Sequence, residues 1–353
     1  MTGPAVDGPS SQPPRFSVLV ATYNQAEYVL ETLDTVVAQT WTDYELVVVN
    51  DGSTDDTEAR VAAWMRTFRR GRPNRATLCT TENLGQSAAF ERGFSLCRGE
   101  YIGLLDSDDR WLPDKLAKVA DLVASDPTAG MVLHPLLVID AVGRRTGDVR
   151  PKRAQLSEGD LREEVRRTSR HVSPATTGVV IRADVFDQLV PMPSKGFRTA
   201  ADLYLTLGAC LLAPVRAIHE PLGEYRMHPS GQHVRTMLSV EGLERWVELQ
   251  TLLVAHFGLE QVAMRNSYFV RHVFALAKLR SSAGAQVAGY RRLIGATWGD
   301  PTFGPREKAI FTAFWTACLL APRPVFSRLW RAFQMKQTGL DKVGLGEVAA
   351  SGI

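Results

Sequence analysis

Short strand-like runs alternating with helical stretches predict an α/β fold on a mostly parallel sheet, followed by a helical carboxyl-terminal region. Three observations carry this. Runs such as Phe16-Ser-Val-Leu-Val-Ala-Thr22 and Glu45-Leu-Val-Val-Val-Asn50 are apolar without alternation, as in strands buried on both faces. Each is followed by a stretch of helical spacing, the pattern of βαβ units. From about Ser239 onward only helical patterns remain, broken by Gly and Pro.

The elements follow in order. Ala26 to Gln39 places Val29, Leu30, Leu33, Val36 and Val37 on one helical face. Gly52-Ser-Thr-Asp-Asp56 supplies capping residues and early acids for a helix running to about Arg69, and Arg70 to Asn74 reads as a basic turn. A strand over Ala76 to Thr80, a helix over Gln86 to Cys97 and a strand over Tyr101 to Leu105 continue the alternation. Pro113 to Ser125 reads as helix, Met131 to Asp140 as one strand, and Ala141 to Arg170 as a polar, highly charged stretch. Gly178 to Arg182 is a strand, with helices from Ala183 and over Asp202 to Leu212. No internal repeat is present. The expected organisation is a disordered tail over 1–14, a domain over 15–235 and a helical region over 236–353.

With 353 residues, 45% of them hydrophobic and 22% charged, the chain has the composition of a globular protein. A net charge of +3 gives no reason to expect nucleic acid as a partner. The charge is uneven: Leu259 to Ile353 carries 13 Lys+Arg against 5 Asp+Glu, while the remainder is net acidic. Cys79, Cys97, Cys210 and Cys318 form no metal or redox spacing, so reduced thiols in a cytoplasmic protein are expected. Met1 to Pro14 lacks the apolar centre of a signal peptide, and no run of 18 apolar residues predicts a spanning helix.

In open parallel sheets ligands bind outside the carboxyl ends of the strands, so those ends bear the chemistry. The first strand ends in Thr22-Tyr23-Asn24, the second in Asn50-Asp51-Gly52-Ser53. The third leads to Asn83-Leu84-Gly85-Gln86, and the fourth to Asp106-Ser107-Asp108-Asp109. Neither G-x-G-x-x-G nor G-x-x-x-x-G-K-[ST] occurs, so no glycine-rich phosphate cradle is expected. Three clustered carboxylates repel one another unless a cation joins them. Oxygen-only donors favour Mn²⁺ or Mg²⁺.

Ala21-Thr-Tyr-Asn24, Val49-Asn-Asp-Gly-Ser-Thr-Asp55, Glu82-Asn-Leu-Gly85 and Leu105-Asp-Ser-Asp-Asp109 occur in order and at suitable spacing. Together they resemble a family 2 glycosyltransferase of the GT-A fold, over roughly Pro14 to His233. The resemblance implies the GT-A nucleotide-diphospho-sugar transferase fold, with a mostly parallel Rossmann-like sheet. It also implies a nucleotide-sugar donor, a divalent metal and inversion at the anomeric carbon. Thr22 and Tyr23 resemble residues lining the nucleoside base, with Asn24 beside them. Asp51 resembles the carboxylate that accepts from an imide N–H of uracil or thymine; its alternative is a turn residue before Gly52. Asn83 and Gln86 either reach the nucleotide or cap a helix. Asp106 resembles a ribose or diphosphate contact, and Asp108 the direct metal ligand. Asp109 either supports that ligand or opens the next helix.

A sugar hydroxyl is a poor nucleophile and needs a positioned base. Asp202, at the start of an apolar helix, is the candidate, although Ala201 stands where the family often has a second acid. Asp184 and Glu220 are weaker rivals. In Glu220-Pro-Leu-Gly-Glu-Tyr-Arg-Met-His228 the resemblance offers His228 as a metal ligand or diphosphate contact, and Arg226 as a charge offset. Ser173-Pro-Ala-Thr-Thr-Gly178 is placed at the acceptor pocket, and His134 and His171 in packing or at the surface.

The expected activity is transfer of a single sugar from a UDP- or dTDP-sugar to a hydroxyl of a glycan or lipid-linked acceptor, in cell-surface glycan synthesis. A nucleotidyltransferase would share the sheet and acids but needs a basic, Gly-rich loop after the first strand, which Thr22 to Gln25 does not supply. An inactive nucleotide-sugar binding module would have no need of Asp202. Residues 309–333, with Trp315, Trp330 and flanking arginines, fit a helix at the inner face of a membrane, an ordinary core helix or a homodimer contact.

Overall fold

The structure, a computed structural model, describes residues 13–68, 75–151, 156–193, 198–229, 231 and 239–338. The expected tail before Thr22's strand, the basic turn over 70–74 and the expected domain boundary at 235 fall largely or wholly outside these residues. The chain forms two compact units. The first draws on the spans Met1–Val138, Val149–Leu161 and His171–Tyr225; the second on Ile139–Asp148, Arg162–Arg170 and Arg226–Ile353.

In the first unit the alternation holds: β1 (Phe16–Thr22), α1 (Val29–Val37), β2 (Tyr44–Asn50), α2 (Thr57–Phe68), β3 (Ala76–Thr80), α3 (Gln86–Phe94), β4 (Tyr101–Asp106), β5 (Arg110–Trp111) and α4 (Lys115–Ser125). β6 (Met131–Leu133), β7 (Leu136–Ile139) and β8 (Arg145–Arg150) come next. After α5 (Arg162–Thr168) a 3₁₀ turn, Thr176–Gly178, leads into β9 (Val179–Arg182). Then come α6 (Ala183–Asp187), α7 (Ala201–Leu212), β10 (Val215–Ala217) and β11 (Gly223–Arg226). Seven strands form the main sheet in the order β10-β6-β9-β4-β1-β2-β3. Pairing is parallel except where β9 runs against β4 and β6. β1 and β2 are the buried centre, which is why their sequences are apolar without alternation.

Two expectations are corrected. The strand expected over Met131 to Asp140 is two strands, because Pro135 has no N–H to continue a ladder. β6 stays in the main sheet, and β7 neighbours β11 in a smaller one, where β11 also pairs with β5. The charged stretch over 141–170 contains β8 and α5. Neither buries enough to leave a period: α5 buries only Val165, and β8 has no fully buried residue.

Close approach requires a glycine at 103. A Cβ on Gly103 of β4 would stand 2.8 Å from the Trp111 ring, so only glycine lets the indole lie against the strand.

The second unit contains α5 and six later helices among its described residues: α8 (Val240–His256), α9 (Glu260–Ala263), α10 (Ser267–Arg280), α11 (Ala283–Gly299), α12 (Pro305–Leu320) and α13 (Arg323–Thr338). Ser239 and Asn266 cap α8 and α10 with side-chain oxygens. The core is aromatic: Phe274 meets Tyr290, Trp315 and Phe326 edge-on, and Trp330 packs on Trp315 and Phe333. Among the described residues no helix is long and apolar enough to cross a membrane.

Asp300, buried after α11, gathers this unit. It accepts from Arg170 (2.7 Å), from Ser267 Oγ (2.8 Å) and from the Thr302 amide and hydroxyl (3.0 and 2.6 Å). Burial works to raise its carboxyl, but the bonds from Thr302, Arg170 and Ser267 prevail and hold it down at about 2. A folded-state value below the unfolded one means that its contribution is present above pH about 4 and is lost as pH falls toward 2. Asp300→Asn is therefore expected to cost about 1–3 kcal/mol at neutral pH. In urea denaturation the gap to the parent protein should narrow as the pH is lowered through this window.

Candidate active site

The β1–β2 register places Thr22 beside Asn50, and the β2–β3 register places Asn50 beside Thr80. On the other side of β1, Ala21 stands beside Asp106. The sequence-predicted residues of the four strand ends thus share one carboxyl edge.

At its first corner, Asn24 holds a left-handed conformation (φ 51°). Its side chain accepts from the Thr54 amide (2.8 Å), and its own amide donates to Ser53 Oγ (2.9 Å). The Asn24 side chain is therefore the strut between the loops after β1 and β2. Tyr23 is exposed, whereas the Thr22 hydroxyl is buried without a hydrogen-bond partner among the described residues. Asp51 is buried, and its two oxygens accept from the Leu84 and Gly85 amides, each at 2.9 Å. Each oxygen keeps a second lone pair.

Asn83 and Gln86 are tied to the approach to α7. Arg198 donates to Asn83 Oδ1 (2.7 Å), and the Gln86 amide nitrogen donates to the Arg198 carbonyl (2.7 Å). The Gln86 side chain bridges further: its Oε1 accepts from Ala201 N (3.0 Å), and its Nε2 donates to Asp106 Oδ1 (3.4 Å). Gln86 thus does cap a helix, but that helix is α7, the one bearing Asp202.

Asp108 and Asp202 both act on Asp106 as like charges. Burial, then the Asp108 carboxylate, then Asp202 push the Asp106 carboxyl well above the usual range. Asp202 lies in the first turn of α7 and is also raised, by burial above all. Its Oδ1 accepts from Leu203 N (3.0 Å), and Thr176 lies close enough to pull both the Asp106 and the Asp202 carboxyl back down. Tyr225 is a neighbour missed in the sequence: burial first, then Asp109, Asp108 and Asp106, push its hydroxyl upward.

Asp109 has a different setting. It is fully buried and accepts from the Thr177 hydroxyl, which itself accepts from Asp106 N (3.2 Å). The Thr177 carbonyl accepts from Lys115 Nζ (2.8 Å) and Trp111 Nε1 (3.2 Å). Lys115 is fully buried over the Trp111 ring, 3.7 Å from its centre. Desolvation pulls its ammonium well down, and Asp109 pulls it back. Arg110 pairs with Glu31 (2.7 Å) and Glu224 (2.8 Å), holding the far side of the same turn. None of Thr176, Thr177, Lys115 and Tyr225 belongs to a strand-end motif, but Thr-Thr in 173–178 and the Lys after Pro113-Asp114 were the available signals.

Among the rivals for the base, Asp184 is held by Arg182 (2.6 Å) and Glu220 by Lys118 (2.7 Å). His171 contacts Thr206 Oγ1 (3.0 Å), and His134 is buried with burial and Lys115 lowering its basicity, as packing residues require. His228 is buried and belongs to the second unit; its role as a ligand rests on the resemblance alone.

Residues 17–189 match the family model described as glycosyl transferase family 2. This stretch of the chain is a glycosyltransferase family 2 domain. An uncharacterized glycosyltransferase of Nostoc is 29% identical over 221 residues, covering 62% of this chain and 67% of that protein. The succinoglycan biosynthesis protein ExoO of Rhizobium meliloti is 25% identical, covering 76% and 75%. Among solved structures, S. aureus TarS 1–349 with UDP-GlcNAc superposes with a TM-score of 0.57 at 18% identity, covering 92% of each chain. A mannosyltransferase from Pyrobaculum calidifontis, crystallised with GDP-Man and Mn²⁺, gives 0.50 at 19% identity, covering 96% and 88%. The GT-A-type fold is thereby established for this glycosyltransferase.

The residues fit a hard dication in a limited sense. Among those described, no three His, Cys, Asp or Glu side chains converge to hold an ion. Asp106 and Asp108 do supply adjacent oxygen donors of like charge. That suits an ion held by one or two carboxylates and completed by substrate phosphates.

The Lys115–Thr177–Asp109 group is expected to behave as a unit. Lys115→Met should destabilise the protein by about 3–5 kcal/mol by stranding a buried carboxylate. Adding Asp109→Asn should recover part of that loss, measured as a double-mutant cycle in urea denaturation.

Proposed function

We propose that this family 2 glycosyltransferase is inverting and metal-dependent. It moves one sugar from a UDP- or dTDP-sugar to a hydroxyl of a glycan or lipid-linked acceptor. The observation that supports the reading is that Asp106, at the carboxyl edge of the sheet, feels both Asp108 and Asp202 as like charges. Two carboxylates there suit the diphosphate end of a donor, and a third, on a separate helix, suits the acceptor.

In this reading Thr22, Tyr23, Asn24 and Asp51 form the base end, with Asn83 and Gln86 shaping its far wall. The lone pairs left on Asp51 and the unpartnered Thr22 hydroxyl support a nucleoside with a ring N–H donor. The UDP and UDP-GlcNAc bound in the TarS structures support the same choice. Asp106 meets the ribose or diphosphate. Asp108 would hold Mn²⁺ or Mg²⁺, whose charge offsets that of the departing diphosphate when bound. Asp202 takes the acceptor hydroxyl's proton as that oxygen bonds to the anomeric carbon. The carbon–oxygen bond to the diphosphate breaks on the opposite face, and its electron pair leaves with the nucleoside diphosphate. A role in glycan synthesis is supported by the relative named for succinoglycan biosynthesis.

The test is a thermal-shift panel of UDP, dTDP and GDP with and without Mn²⁺, combined with Asp202→Asn. A UDP or dTDP shift lost in EDTA supports the donor and metal assignments. Asp202→Asn should lower transfer by about 10²–10⁴-fold with donor binding nearly unchanged. Loss of donor binding in that variant would instead place Asp202 on the donor.

A further inference from the structure

Trp315 and Trp330, the aromatic anchors expected at a membrane interface, are 3% and 7% exposed and belong to the core of the second unit. The same two helices turn different residues outward. On α12 Ile310, Ala313, Ala317 and Leu320 are exposed at spacings of three and four, one continuous helical face. On α13 Val325, Leu329 and Ala332 do the same. Leu320 is 78% exposed, Ile310 59%, Val325 47% and Leu329 37%. Only Ala321 and Pro322 separate the helices, so the stripes run out from one turn, with Leu320 and Val325 at its two sides.

Apart from Glu307, which lies three residues before Ile310 and accepts from the Gly304 amide to cap α12, the charge on these stripes is positive. Exposed Arg306 lies one turn before Ile310, exposed Lys336 one turn after Ala332, and exposed Arg328 beside Leu329. Residues 308–338 contain Lys308, Arg323, Arg328, Arg331 and Lys336 and no Asp or Glu. Scattered exposed apolar residues are ordinary, but two periodic stripes ending in cations are not scattered. We infer that α12 and α13 lie in the plane of an anionic lipid surface, their stripes entering the boundary between headgroups and acyl chains. Apolar bulk with basic flanks is the chemistry that binds such a surface. A second copy of the chain is a poor occupant, because pairing the stripes would bring like charges together. Alanines fill the positions between the large side chains, so the face lacks hydrogen-bonding groups to specify a protein partner. The inference does not depend on the sugar-transfer reading.

The experiment is co-sedimentation of the full chain with vesicles of phosphatidylcholine, alone or mixed equally with phosphatidylglycerol. Binding is expected to the mixed vesicles only and to weaken with salt. Arg328→Gln with Lys336→Gln should lower partitioning roughly 25-fold, at about five-fold for each charge. Ile310→Ser with Leu320→Ser, Val325→Ser and Leu329→Ser should abolish it. Because all six side chains are exposed, both variants should keep the parent's thermal midpoint, which verifies folding. Absence of binding to anionic vesicles, or binding unchanged in both folded variants, overturns the proposal. So does self-association in light scattering that the serine variant removes, since the occupant is then a second copy.

Discussion

The constraint on which the rest depends is the crowding of carboxylates at one edge of a buried sheet. Asp106 feels both Asp108 and Asp202 as like charges, in a setting where water screens little. Such an arrangement persists only if the backbone bearing each acid is held independently of the acids. The 3₁₀ turn Thr176–Gly178 provides this hold, since Thr177 binds both ends of the acidic turn. Lys115 and Trp111 in turn fasten Thr177 from below through its carbonyl. Gly103 matters for the same reason, because the indole reaches this position only across a strand with no Cβ in the way.

Within the acidic turn the carboxylates divide by how their charge is met. Asp109 is already balanced by a hydroxyl donor and a buried ammonium, which makes it part of the scaffold. The choice left open by the sequence, a supporting acid or a helix opener, is thus resolved as a buried anchor. Asp106 instead feels Asp108 as a like charge and takes an amide from Gln86 at 3.4 Å. It stands at the edge where ligands of such sheets bind.

The sheet was legible because β1, β2 and β4 are buried on both faces, and burial on both faces writes an unbroken apolar run. The strand-end motifs were legible because they are contiguous in sequence. What holds them together was not: Thr177 lies 68 residues from Asp109, and Gln86 lies 115 from Ala201. Local pattern carries no record of such pairings. β8 and α5 were missed for a related reason, since elements that bury one residue or none have no period to detect.

The carboxyl-terminal helices show the converse limit. Apolar content alone states how much of a helix avoids water, not which side does. α12 is apolar nearly all round, so its sequence admits a core helix, an interface helix or both. The fold assigns Trp315, Phe326 and Trp330 to the interior, where their rings meet Phe274 and one another. Once the large aromatics are consumed by the core, the residues left outside are smaller aliphatics and cations. Aliphatic bulk without aromatic anchors gives shallow insertion, so charge must contribute most of the attraction. That is the arrangement in which binding follows the surface charge of the lipid closely, and the total absence of acids from 308 to 338 serves it.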